Sequence, residues 1–256
     1  QKVCAVLRAL ASHAPAALRD LAKAAELNKV TTFRILGTLA REGFVGRPPG
    51  SQLYDLGPEV AVLARALASR VNLRAASRPA LVRLAAQSGD TAVLSIRAGW
   101  EAVCLDRQTG DFPIQSNYLY PGTRRPLGVG AGATALLAAL PPDEGDMLVE
   151  LLAGKLEPFP RLSVAVVRDQ VEHARRCGYA MVLNHIVDQM GGIAVAIRSP
   201  EGEALGAFSI LALSERIESR IQQLAAFLHE AAHDTERVIA GEHDRSTSIR
   251  RAARRS

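Results

Sequence analysis

The chain has 256 residues, of which 48% are apolar, enough for sizeable buried cores and too many for a disordered chain. Aromatics make up only 4%, so the cores are expected to be built from Ala, Leu, Val and Ile. The 31 Lys and Arg exceed the 26 Asp and Glu, and no apolar run reaches about 18 residues without a charge, which leaves no candidate membrane helix.

Val3, Val6, Leu7 and Leu10 stand at helical spacing and predict a first helix over 3–11. The start, QKVCAVLRALASH, carries no signal-peptide cleavage site. It opens on Gln1 rather than Met, so trimmed upstream residues are expected. Pro15 interrupts, and 16–25 resumes with Leu18, Leu21, Ala22 and Ala25 on one face. Glu26, Leu27 and Asn28 form a short connection, with Asn28 the expected N-cap of a third helix over 29–41. Phe33, Leu36, Leu39 and Ala40 form its expected apolar stripe, and Gly43 suits the position just past its end. Residues 44–47 and 52–56 predict a small hairpin with a four-residue tip, Pro-Pro-Gly-Ser. Pro58 then opens a long helix to about residue 73.

Three short helices followed by a hairpin describe a winged helix-turn-helix, which lays its third helix in a DNA major groove. The expected outer face carries Lys29, Thr31, Thr32, Arg34, Thr38 and Arg41, hydroxyls and cations suited to base edges and phosphates. Lys29, Thr31, Thr32 and Arg34 are assigned to the groove, and Arg41 and the wing residue Arg47 to phosphates. Charge distribution agrees. Residues 1–80 hold 12 Lys and Arg against 5 Asp and Glu, whereas 81–242 hold 14 against 20. A basic block beside an acidic body suggests modules with different partners, the basic one attracting a polyanion. Residues 243–256 hold 5 basic against 1 acidic residue and few large apolar ones, and are expected to be a flexible basic tail.

Past residue 73 the pattern changes. A helix over 76–87 precedes expected strands over 91–97, 102–107 and 113–118. Helices are expected over 131–140, 143–152 and 163–177, then strands over 178–184, 192–198 and 205–211, and a last helix over 215–240. Hairpins with helices grouped between them imply an α+β domain with a mostly antiparallel sheet, able to enclose a small molecule. The organisation is therefore a DNA-binding domain at 1–57, a linker helix at 58–75, an α+β effector domain at 76–242 and the tail at 243–256.

The segment LNKVTTFRILGTLAREG, residues 27–43, resembles the recognition-helix signature of the IclR-type (isocitrate lyase regulator-like) bacterial transcription factors. Lys29, Thr31, Arg34, Leu36 and Gly43 fit that signature, while Val30 stands where a Ser is common. Arg125-Pro126-Leu127, continuing through Ala131, Gly132, Thr134 and Ala135, is similar to the family's loop-into-helix signature. Gly178-Tyr179-Ala180 and 192–197 are similar to two strands beside its pocket. The resemblance implies a winged-helix reader joined to a GAF-like effector domain, acting as a homodimer or homotetramer on palindromic double-stranded operator DNA. It also implies a cytoplasmic, nucleoid-associated protein, a repressor or activator rather than an enzyme, with no cofactor.

Carried over residue by residue, the family pattern places the effector against Ala131, Gly132, Val182, Met190, Gly192, Ser209 and Leu211, with Arg125 nearby. Members that bind small oxo-acids place acidic residues after the Gly-Tyr pair, a Cys near the second strand and two serines on the last. Here Val182 and Leu183 replace the acids, Gly192 the Cys and Leu211 one Ser. The expected pocket is larger and more apolar, suited to an aromatic or apolar-bodied organic acid. Arg124, Asn184, His185 and Asp188 are further candidate polar contacts.

His229-Glu230-Ala231-Ala232-His233 matches the zinc-protease pattern of two histidines at i and i+4 with a Glu between. No third ligand follows at the usual distance, so a metal is not expected and a zinc-dependent hydrolase stands as the lesser alternative. An effector-independent DNA-binding protein is another. The glycine-rich 128–132 lacks a preceding βαβ strand and a phosphate-loop Lys, and reads as a loop entering a helix. Cys4, Cys104 and Cys177 have no CxxC partner and are expected to be buried thiols.

Overall fold

The computed structural model describes residues 1–48, 50–68 and 73–253, with the backbone alone at 65–68 and 242–253. Contacts divide the chain into two units, Gln1–Asn72 and Leu73–Ser256. Among the described residues no helix is long and apolar enough to cross a membrane.

In the first unit α1 (Lys2–His13), α2 (Leu18–Ala24) and α3 (Lys29–Arg41) pack around Val6, Leu10, Leu21, Leu36 and Leu39, all buried. Local chemistry sets the limits of α3. The Asn28 side-chain oxygen accepts from the Thr31 backbone N–H at 2.8 Å, satisfying a donor that the first turn leaves open. At the other end Phe44 N–H bonds Leu39 O and Gly43 N–H bonds Ala40 O, a turn that puts Gly43 at φ +76°, where a side chain is disfavoured. The wing, β1 (Val45–Gly46) and β2 (Asp55–Leu56), is antiparallel, and α4 (Pro58–Ala68) follows it.

Two expectations fail here. The buried stripe of α3 runs through Thr32, Leu36 and Leu39, with Phe33 and Ala40 exposed. Thr32 can enter the core because its hydroxyl donates to Asn28 O at 3.0 Å, leaving no unpaired polar group there. The wing pairs only Val45 with Leu56 and Gly46 with Asp55, so it stops well short of the expected four-residue tip. Tyr54 is instead drawn to Ala16, with which it exchanges backbone bonds of 2.8 and 3.0 Å, pinning the wing to the helices.

The second unit is α+β. It runs α5 (Leu73–Ser88), β3 (Thr91–Ala98), β4 (Glu101–Gln108), β5 (Arg124–Pro126), α6 (Ala131–Ala138), α7 (Pro142–Leu151) and α8 (Val164–Cys177). Then come β6 (Ala180–Leu183), β7 (Met190–Arg198), β8 (Ala204–Leu213), α9 (Ser214–Glu218) and α10 (Ile221–Ala253). The strands form an antiparallel sheet in the order β5-β4-β3-β8-β7-β6. Helices α6 and α8 pack with Leu127, Val129, Leu136, Leu137, Val167 and Val171 into one core that includes Val182, Ala194 and Ala207 of the sheet. Helices α5 and α10 pack on each other and against β3, β7 and β8.

Departures from expectation have local causes. Residues 113–118 are a loop, since Pro113 has no N–H to give a ladder and the Gln115 amide folds the segment back by donating to Gly110 O (2.6 Å) and Phe112 O (3.1 Å). The edge strand comes later, as β5. Helix α5 starts at Leu73, ahead of the expected 76; where the linker helix ends beyond Ala68 lies outside the described residues at 69–72. The last helix is split at Ser219, which caps α9. The expected tail meets a helix that continues through Ala253, as Glu, Arg and Ala favour. Buried Asp90 accepts from Arg216 (3.1 Å) and Arg220 (2.8 Å), tying α9 and α10 to the start of β3.

Candidate nucleic-acid interface and ligand cavity

Burial of Thr32, Leu36 and Leu39 turns the opposite side of α3 to solvent. Arg34, Thr38 and Arg41 lie on that side, Lys29 is exposed at the helix start, and Thr31 is half-buried. Among the described residues neither Lys29 nor Arg34 pairs with a carboxylate. Arg41 donates to the Thr38 hydroxyl at 3.5 Å, and that hydroxyl donates to Arg34 O at 3.2 Å. Thr32, assigned to the groove by sequence, is fully buried and cannot reach a base; the error follows from the misplaced stripe. Arg47 lies on the wing with its Cζ 4.2 Å from the Tyr54 ring centroid, and it donates to the Tyr54 hydroxyl. Its cation is thus held on the wing by a cation–π contact rather than ranging freely.

In the second unit all eight residues assigned to the effector line one cavity of about 40 Å³. Alternation along β8 puts Ser209 and Leu211 on one face, and Gly192 of β7 is the direct partner of Leu211. Val182 and Met190 close one side, and Ala131 and Gly132 bring the first turn of α6 over the sheet. A Cβ on Gly132 would sit 3.4 Å from Ser95 Oγ and 3.5 Å from Ser209 Oγ, ordinary contact distances that put two hydroxyls beside that helix start. First-turn N–H groups have no partner within the helix and favour an anion.

Arg125 is the cation of the cavity. Its Cζ lies 5.0 Å from the Tyr118 ring centroid, and among the described residues no carboxylate pairs with it. Burial lowers the pKa of this guanidinium, with Tyr118 opposing; burial likewise raises the Tyr118 phenol above its ordinary value. His185 also lines the cavity, with a buried Nδ1 that lacks a partner among the described residues. Cys104 lines it too, its thiol pushed up to about 11 by burial first and then by Asp106.

Other candidates go elsewhere. Arg124 donates to Glu101 at 3.0 Å, Asn184 accepts from the Ser214 hydroxyl at 2.9 Å, and exposed Asp188 pairs with Arg161. Sequence reasoning missed Ser95, Tyr118, Leu119 and Thr123 in the lining. Tyr118 ends the segment expected as a strand over 113–118, and Leu119 follows it. The cavity is also smaller than expected. An engineered cavity of about 150 Å³ admits benzene, so an aromatic ring requires this loop to move.

A second groove, of about 580 Å³, lies between α6, α8 and α10. His229, His233 and Glu236 line it, while Glu236 accepts from the Arg198 backbone N–H at 2.7 Å. Glu230 is not in its lining, so the HEAAH spacing does not bring its Glu to its histidines' face. Among the described residues no three His, Cys, Asp or Glu side chains converge to hold a metal ion. Cys4 and Cys177 are exposed, correcting the expectation of buried thiols, and Cys177 Sγ lies 3.9 Å from His173 Nδ1.

Residues 65–237 match the family described as bacterial transcriptional regulator IclR, C-terminal, and residues 1–49 match the IclR helix-turn-helix domain. The regulator BhcR of Paracoccus denitrificans is 30% identical over 235 residues, 90% of this chain and 82% of its own. The transcriptional regulator SauR of Cupriavidus necator is 33% identical over 142 residues; that match spans 56% of either chain, so little more than half of SauR is covered. An IclR regulator structure from Silicibacter sp. TM1040 superposes with a TM-score of 0.76 at 24% identity, covering 94% of this chain and 96% of that one. An IclR homologue from Microbacterium hydrocarbonoxydans, solved with 4-hydroxybenzoate, gives 0.70 at 22% identity, covering 95% and 99%.

Proposed function

The chain belongs to the IclR family of bacterial transcriptional regulators, and from that premise we propose that it reads palindromic operator DNA and responds to a small organic acid. The acid is held by Arg125. That residue carries the reading: an unpaired guanidinium, partly stripped of water, opens into a cavity whose walls are otherwise largely apolar. A carboxylate there restores the interaction that burial removes, and the first-turn N–H groups of α6 add to it. Leu211, Val182, Met190 and Leu119 suit an apolar or aromatic body. The 4-hydroxybenzoate held by the Microbacterium hydrocarbonoxydans homologue is a ligand of that class.

On the DNA side, Lys29, Thr31 and Arg34 address the major groove, and Thr38, Arg41 and Arg47 its edges and phosphates. A single recognition helix reads few base pairs, so a homodimer, or a pair of dimers, supplies the second half-site. Ligand entry displaces the loop bearing Tyr118 and Leu119 and changes operator affinity through α4, a coupling of about 1–3 kcal/mol in typical cases. The protein works in the cytoplasm, on the nucleoid.

The test is fluorescence anisotropy of the full chain on the DNA upstream of its own gene, with and without benzoates, glyoxylate and pyruvate. Salt-sensitive binding that 4-hydroxybenzoate alters is the expected result, and Arg34→Ala costs about 1–3 kcal/mol of specific affinity. Binding that no acid changes favours the effector-independent reading. No binding at low salt refutes the proposal.

A further inference from the structure

The outward face of α3 carries exposed apolar side chains beside its cations. Successive helical residues turn by about 100°, so Val30 and Gly37, seven apart, fall nearly in line. That line faces away from Leu36 and Leu39, which are buried. Val30 is 71% exposed and Phe33, one turn ahead of Gly37, is 54% exposed. A Cβ on Gly37 would meet nothing within 4 Å. Lys29, Arg34, Thr38 and Arg41 surround this strip. The outward face therefore carries a low apolar strip, Phe33, Gly37 and Val30, between Lys29 on one side and Arg41, Arg34 and Thr38 on the other, the two arginines standing directly opposite the buried stripe.

A large apolar pair left in water loses the free energy that burial would return, so its exposure among the cations calls for a partner surface. The floor of a major groove offers one apolar group, the thymine 5-methyl, and cations flanking the strip suit the phosphate walls. Gly37, having no side chain, lets the helix backbone approach that floor. We infer that Val30 and Phe33 read thymine methyl groups, making them specificity-determining residues of the operator half-site. The inference rests on the reading of α3 as the groove-reading helix.

The experiment begins with duplexes enriched from a random pool by the full-length protein. Each thymine of the enriched sequence is then replaced singly by deoxyuridine, which removes the methyl and keeps the base pair. At one or two positions per half-site the replacement weakens binding about fourfold, the effect of leaving one methyl unburied. Phe33→Ala and Val30→Ala each abolish the penalty at one of those positions, binding thymine and deoxyuridine duplexes alike. The far-UV circular dichroism and thermal transition of both variants match those of the wild type, which shows that they fold. Enrichment with no deoxyuridine penalty, or a penalty unchanged in both variants, overturns the inference alone. Failure to enrich any sequence overturns the groove reading and the inference with it. Loss of the thermal transition in the alanine variants moves the same comparison to Val30→Ser, which has no γ-methyl to meet the thymine. A folded Val30→Ser protein that keeps the full penalty at every position overturns the assignment of Val30.

Discussion

The guanidinium of Arg125 stands over the ring of Tyr118, Cζ to centroid 5.0 Å, and the two belong to different structural classes: Arg125 to an edge strand, Tyr118 to a loop. A stacked cation without a carboxylate is a half-made ion pair. Replacing Arg125 with Gln is therefore expected to leave the ligand-free protein as stable as before, or slightly more so, because it removes a poorly solvated charge. With 4-hydroxybenzoate as the probe of the proposed acid site, the same change is expected to weaken binding by about 1.5–3 kcal/mol, roughly ten- to hundredfold. Thermal-shift titration reads both quantities. Unchanged acid affinity would place the carboxylate elsewhere.

Asp90 presents the opposite case, a carboxylate only 1% exposed and shared by two arginines. Asp90→Ala leaves Arg216 and Arg220 facing each other with no counter-charge. Breaking a buried pair from one side costs about 3–5 kcal/mol. Urea denaturation should show the loss in the transition of the second unit, with that of the first unchanged.

Gly57 is where the wing returns past the end of α3. A Cβ there would lie 2.1 Å from Gly43 O, so Gly57→Ala must push backbone away from backbone. A cost of about 1–3 kcal/mol is expected, together with lost DNA binding. Gly46→Ala is the control: its Cβ meets nothing within 4 Å, and the change should stay within about 0.5 kcal/mol. Similar losses from both would mean the wing is intolerant for another reason.

The Cys104 thiol, raised from 9.0 to about 11, gives a pH dependence of definite sign. Folding favours its neutral form, so this contribution is full below pH 9 and is lost as pH rises from 9 through about 11. The loss is about 2–3 kcal/mol at most. Cys104→Ala should flatten the stability profile in that window. Near neutral pH a thiol reagent should label exposed Cys4 and Cys177 and spare Cys104 until the protein is unfolded. Rapid modification of all three thiols in the native protein would contradict this.

The sequence by itself determined what local chemistry controls. Asn28 caps α3 and Gly43 ends it where the residue types required, because those bonds join residues three to five apart. Most helices and strands of the second unit were legible in period, though not the edge strand β5 or the break at Ser219, and the cluster of Ser209, Gly192, Val182 and Ala131 came from the family resemblance. Tertiary structure decided which side of each element meets the core. In α3 a one-residue rotation exchanged Thr32 for Phe33, because a hydroxyl satisfied by its own helix can be buried and no hydropathy pattern records that bond. In β5, neighbouring arginines parted: Arg124 pairs with Glu101 and Arg125 enters the cavity. Alternation guarantees that two adjacent strand residues face opposite ways, but only the packed sheet fixes which one faces in.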